Sequence, residues 1–181
     1  MRATFEREFQ EYFNTMLGYV FVSAFLFLAG VFFSVNNINE LSAEFNTTLN
    51  DCIYVFLLTS PLLTMKLLSE EKKIKRDQLL MTTKTSLSFV IVGKFLAALS
   101  VFAVTLCFTL IYPIILLTYG TISVPLIVNG YVGFFFLGMA FIAVGMFASS
   151  ITESQLTAAI CTYGILLFLL CLHLIISKIH V

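Results

Sequence analysis

Charge is scarce in this 181-residue chain: Asp, Glu, Lys and Arg make up 11% of it, and ten basic residues balance ten acidic ones. An ordinary soluble domain carries about 25% charged residues, so the scarcity excludes one. An apolar share of 60% excludes disorder. The even balance excludes a basic nucleic-acid binder, which concentrates positive charge on one face. No CxxC or zinc-like spacing joins the four cysteines (Cys52, Cys107, Cys161, Cys171), and all of them read as small buried hydrophobes. No signal peptide is visible either: a mixed-charge segment precedes the first apolar run, and that run exceeds the about 7–15 residues of a secretory core segment. Internal repeats, low-complexity tracts and long linkers are also lacking, so residues 1–181 read as one membrane domain. What the chain does have is apolar sequence, with a mean hydropathy of +1.01.

A helix needs about 20 mostly apolar residues to cross a bilayer, and five runs qualify: about 16–35, 52–68, 95–117, 131–148 and 157–176. The second is the shortest and carries Pro61, with Lys66 at one end. The third belongs to a longer apolar stretch that holds Lys94. A lysine at mid-bilayer costs about 2.5–3.5 kcal/mol on insertion scales, which places Lys94 at the interface and the core of the span at Phe95 onward. Pro113 should bend the far end of that span. The chain before the first span holds Arg2 and Arg7, and the connection from Lys66 to Lys94 holds seven basic residues, whereas residues 36–51 and 118–130 hold none. Positive charge stays cytoplasmic, so the N-terminus and the Lys66–Lys94 connection are expected inside and the other two connections outside. The Asn46-Thr47-Thr48 sequon falls in an outer loop and reads as chance.

Two segments stand out from the spans. Over residues 3–14, Phe5, Phe9, Tyr12 and Phe13, continued by Met16, form one stripe of a helix, with most charges on the other side. Such a helix is expected to lie in the headgroup plane before the chain turns into the bilayer. Residues 69–94 hold nine of the twenty charged residues, among them Glu70, Glu71, Lys72, Lys73 and Asp77, then the apolar triplet Leu79, Leu80, Met81. Glu71 and Lys75 stand at i, i+4 in the favourable order and Ser69 can cap a helix start. A solvated charged helix accounts for the charges. The triplet needs lipid, the spans or a partner to cover it.

These stretches carry a resemblance. Thr64-Met65-Lys66-Leu67-Leu68-Ser69-Glu70-Glu71-Lys72-Lys73, then Gln78-Leu79-Leu80-Met81-Thr82-Thr83, then Val92-Gly93-Lys94-Phe95-Leu96-Ala97 resemble the permease subunits of type-2 ABC transporters, in the gliding-motility and multidrug-export-like branch. Arg7-Glu8 with Tyr12-Phe13 and Gly18-Tyr19-Val20 fit the same pattern, as does the stretch from Gly145 to Gln155. The resemblance covers nearly the whole chain in order. It departs at Lys75-Arg76, Gln78, Lys84 and Met16, and relatives usually have six spans where five are counted here. It implies an all-helical membrane subunit that pairs with a second permease subunit, as a homo- or heterodimer, and binds a separate cytoplasmic ATPase. ATP and Mg would then sit in that partner, with no cofactor in this chain. The coupling residues it implies are Glu70, Glu71, Lys72, Lys73, Asp77, Leu79, Leu80 and Met81, with residues 3–14 as a connecting helix. A cytoplasmic bacterial membrane is the implied location.

Other classes fare worse on the residues. Gly93-Lys94 does not end a phosphate-binding loop, because Ser88 stands where the first glycine belongs and Phe95 replaces Ser or Thr. Glu153, His173 and His180 are the only candidates for an intramembrane enzyme, and no HExxH or GxSxG accompanies them. A non-transporting membrane scaffold or accessory subunit is the alternative to a permease. Gly138, Gly145 and Ser149 share one face of the fourth span and allow another helix close, from the same chain or from a second copy. Thr105, Thr109, Tyr112, Thr157, Thr162 and Tyr163 offer only neutral polar groups to a pathway, which favours an apolar or amphipathic cargo.

Overall fold

The computed structural model describes residues 2–39, 45–67, 87–119, 124–152 and 154–179, and among them every regular element is helical. The helices are α1 (Arg2–Asn14), α2 (Leu17–Phe33, continued by a π-helical turn over Ser34–Asn39), α3 (Phe45–Thr64), α4 (Leu87–Thr109), α5 (Ile111–Tyr119), α6 (Val124–Ile151) and α7 (Gln155–Ile179). Four stretches are long and apolar enough to cross a membrane: Leu17–Ile38, Ser88–Thr118, Val124–Ile151 and Gln155–Leu172. This is the make-up of a multi-pass membrane protein.

The second expected span falls outside those four. Its helix begins seven residues before Cys52 and ends at Thr64, so it takes in Asn46, Asn50 and Asp51. Such polarity is tolerated because α3 is the central helix: α2, α6 and α7 pack around it and twelve of its 20 residues are buried. The third expected span is two helices. α4 starts eight residues earlier than Phe95 and stops at Thr109, and after a turn at Leu110 the chain resumes as α5. Pro113 is the cause, since it has no N–H for the Thr109 carbonyl and crowds the preceding turn. The first span starts at Leu17 because Met16 adopts a left-handed backbone, φ 54°, at the corner after α1. The fourth is longer than expected: Pro125 sits in the first turn of α6, where a missing N–H breaks no bond. Ser154 caps α7, its Oγ accepting from the Thr157 N–H at 3.3 Å.

Carbonyls released by proline are taken up elsewhere. Pro61 leaves the Leu57 carbonyl to the Ser60 hydroxyl at 3.4 Å, and beside it the Tyr163 hydroxyl of α7 donates to the Leu58 carbonyl. The freed Thr109 carbonyl accepts from the Tyr131 hydroxyl of α6 at 3.1 Å. Tyr131→Phe should therefore leave that carbonyl unpaired and lower stability by about 1 kcal/mol. Thermal unfolding in detergent reads the loss; an unchanged midpoint would show that the carbonyl has another donor.

The core is a block of phenylalanine. Phe56 of α3 meets Phe21 and Phe25 of α2, Phe102 of α4 and Phe134 and Phe141 of α6, with centroids 4.4 Å apart for Phe56 and Phe102. Lipid tails are as apolar as these rings, so close packing rather than escape from water holds the helices together. The cysteines follow the same logic. Only Cys52 is buried, whereas Cys107, Cys161 and Cys171 are exposed on the outside of the bundle, which corrects their reading as buried hydrophobes.

Candidate functional site

The chain reverses direction so that α1, the end of α3, the start of α4 and the end of α6 meet at one end of the bundle. There α1 packs along α4 and against α2. Its stripe of Phe5, Phe9 and Phe13 lies partly buried against the core, with Tyr12 fully inside it. The apolar stripe therefore faces the other helices.

Three polar contacts fix α1 in place. Glu8, on the buried face between Phe5 and Tyr12, is 6% exposed and accepts from Lys94 Nζ at 2.9 Å; Lys94 is 3% exposed. Arg7 donates to the other oxygen of Glu8 at 2.8 Å. Lys66 Nζ lies 3.2 Å from Glu11, and the Tyr12 hydroxyl donates to the Leu63 carbonyl at 2.8 Å. Leu63 is in the last turn of α3, whose carbonyls have few partners within the helix. Burial by itself would raise the Glu8 carboxyl, but the hydrogen bond from Arg7 and the charge and hydrogen bond of Lys94 outweigh it and hold the group below its ordinary value. Burial, helped by the charges of Glu8 and Glu11, pushes the Tyr12 phenol up, so it stays a donor.

Lys94 was expected at the interface with its amine in the headgroups. It is instead buried in the second turn of α4, and the physical reason is Glu8, which supplies a counter-charge so that the amine need not reach water. Residues 87–94 of the expected coupling segment are thus helix. Glu70, Glu71, Lys72, Lys73, Asp77, Leu79, Leu80 and Met81 lie outside the described residues. The two flanks of their segment are described, and α1 is tied to both: to Lys66 before it and to Lys94 after it.

The small-residue face of α6 points inward. Gly138 faces Phe102 of α4 and Gly145 faces Thr64 of α3, while the Ser149 hydroxyl donates to the Met65 carbonyl at 3.3 Å. These residues pack helices of one chain. The hydroxyls offered to a pathway are engaged as well: Thr105, Thr109 and Thr162 bond to carbonyls of their own helices, and Tyr112 reaches the Leu26 carbonyl at 3.0 Å. A void beside Thr109 and Tyr112 measures about 10 Å³, at the lower limit for one water molecule. These groups form no polar path through a single chain. Asn46 of the sequon packs beneath Gly130, with Oδ1 only 2.9 Å from where a Cβ would stand there, and its neighbour Thr48 donates to Asn37 at 2.6 Å.

The Glu8–Lys94 pair was missed by sequence reasoning. Its signal was present: Glu8 is an acid on an otherwise apolar helical stripe and Lys94 a base in an apolar run, two isolated opposite charges that each need a partner. No family model, curated protein or solved structure matches the chain.

Proposed function

We propose that the chain is a permease subunit of a type-2 ABC exporter, which forms a membrane pathway and couples it to a separate cytoplasmic ATPase. The observation that carries this reading is the way α1 grips both flanks of the charged 68–86 segment, through Glu11–Lys66 and Glu8–Lys94. A push delivered to that segment would reach α1, α3 and α4 together as one body, and a coupling element needs such a mechanical link. In this reading α3 is a fifth span, shielded by its neighbours, and the α1 end of the bundle is cytoplasmic, in agreement with the seven basic residues between Lys66 and Lys94. α1 lies at the inner headgroups with its apolar stripe on α4. ATP and Mg are held by the partner. In this reading the pathway lies between two permease subunits, in a homo- or heterodimer within a bacterial cytoplasmic membrane, and the engagement of the hydroxyls within the single chain supports that.

The test is co-purification from native membranes. Reversing charge at Glu70 and Glu71 should release a stoichiometric ATPase while leaving membrane insertion intact. If the wild-type chain brings down no ATPase even after mild crosslinking, the alternative of a non-transporting scaffold or accessory subunit takes over, and the lack of a polar path among the described residues favours it.

A further inference from the structure

The outward face of the bundle is uneven in length. Along α2 the exposed large apolar residues run from Met16 to Ile38, and along α7 from Leu156 to Ile176, about 30–33 Å in each case at about 1.5 Å per residue. That equals the roughly 30 Å of hydrocarbon in a bilayer. Along α6 they run from Val124 to Ile151, and along α4 and α5 together from Phe89 to Leu117, about 40–42 Å. Charge in the sequence follows the same division. Glu11 and Glu40 stand on either side of the first short stripe, and Glu153 and Lys178 on either side of the second. Between Lys94 and Glu153 there is no charged residue, the turn from α5 to α6 included.

The excess lies at the end away from α1. Near α1 the long helices are fixed by polar contacts: Lys94 by Glu8, and Ser149 by the Met65 carbonyl, next to Lys66 and its partner Glu11. Counted from Lys94 and Ser149, a core of about 30 Å and about 20 residues ends near Ile114 on α5 and Asn129 on α6. Ile115 and Leu117 on one helix, and Val124, Leu126 and Val128 on the other, stand beyond it and are exposed. Val124 and Val128 continue the stripe of Val132 and Phe136 deeper in the bilayer. Ile114 is on the side of α5 away from Leu116, which packs with Phe33 and Phe45. Tyr112 and Tyr131 donate their hydroxyls to carbonyls of the bundle, so neither anchors this end in the headgroups.

Tilt does not absorb the excess. α6 has 28 residues and would need to lean by about 45° to fit its about 42 Å within about 30 Å, beyond the range of about 0–40° for spanning helices. The same lean of the whole bundle would leave α2 and α7 shorter than the hydrocarbon is thick. Leaving the side chains in water is disfavoured in proportion to their apolar area, whereas a bilayer thickens at a small cost per ångström. We propose that the α5–α6 end is sunk in the leaflet away from α1, whose acyl chains rise around it by about 5–8 Å. This flank selects long-chain lipids, while α2 and α7 face lipid of ordinary length.

The chain has no Trp, so Ile114→Trp and Val128→Trp each supply a single emitter. In phosphatidylcholine vesicles holding the full chain, acyl chains brominated near the carboxyl end should quench both, as chains brominated further down quench Phe136→Trp. Aqueous acrylamide should quench neither. Quenching by acrylamide would put this end in water, and protection from both quenchers would mean that protein, such as a second copy, covers it; either result overturns the proposal. The melting midpoint should also rise by several degrees from dimyristoleoyl through dioleoyl to dierucoyl phosphatidylcholine. The double variant Ile114→Lys/Val128→Lys should cancel that rise, because its ammonium groups reach the headgroups most easily in the thinner bilayers. A wild-type midpoint that is flat or falls with chain length overturns the proposal as well.

Discussion

Alanine at Gly138 will force α6 away from α4. A Cβ there would stand 2.2 Å from Phe102 Cε1 and 2.5 Å from its Cζ, well inside van der Waals contact. The ring cannot retreat, because Phe102 is fully buried, packed at a tilt on Phe56 and stacked on Phe135. At Gly145 the clash is with Thr64, whose Oγ1 would be 2.3 Å away and is itself bonded to the Ser60 carbonyl at 3.1 Å. Overpacking costs about 1–3 kcal/mol when a core can adjust, and these positions adjoin rigid groups, so about 3 kcal/mol is expected for each. Gly133→Ala is the internal control: the same atoms are added to the same helix where nothing stands in the way, and stability should rise by up to about 1 kcal/mol. Unfolding in mixed micelles would separate the three variants. Equal midpoints at positions 133 and 138 would mean that α6 does not sit against Phe102.

Lys94→Met should cost about 3–5 kcal/mol, the usual penalty for stranding one member of a buried ion pair. It leaves Glu8, 6% exposed, to Arg7, whose side chain is 60% exposed. Glu8→Leu removes the carboxylate that faces the buried ammonium and should also destabilise the fold. The double variant removes both charges and should recover most of the loss, because two apolar chains of similar size suit this site. The pH dependence has a definite sign. The Glu8 carboxyl lies below its unfolded value of 4.5, so its contribution is complete above that pH and fades as acid takes the group through its lower folded value. Amide protection over residues 5–13, taken relative to the intrinsic exchange rate at each pH, should therefore fall below pH 4.5 in the wild type, while that of the double variant stays flat. A flat wild-type profile would remove Glu8 from the contact.

Much of this architecture was legible in the sequence, and the limits have physical causes. The bilayer demands long apolar runs, so α2, α4, α6 and α7 show themselves by composition, and Pro113 marks the break after α4. The helix over Arg2–Asn14 follows from one apolar stripe. The 3.6-residue spacing put Gly138, Gly145 and Ser149 on one face, but which helix they touch depends on Phe102 and Thr64, far away in the chain. α3 was the hardest element, because Asn46, Asn50 and Asp51 shorten its apolar run and only the surrounding helices make it tolerable. The cysteines misled for the opposite reason: next to lipid an apolar residue need not face inward. Lys94 could not be placed correctly without Glu8, 86 residues earlier.

That separation also has a consequence in time. Glu8 is synthesised before Lys94, and at roughly 5–20 residues per second the ribosome needs roughly 4–17 s to make the chain between them. Throughout that interval α1 exists without Lys94, and for the greater part of it without Lys66, its phenylalanines uncovered by α4. The surface that can shelter an amphipathic helix meanwhile is the face of the membrane itself. Docking on α4 is then a late event, possible only after α2 and α3 have been made and α4 has begun. A variant that breaks the Glu8–Lys94 pair should accordingly insert at the normal rate and fail afterwards, as a full-length chain whose first helix has remained on the lipid surface.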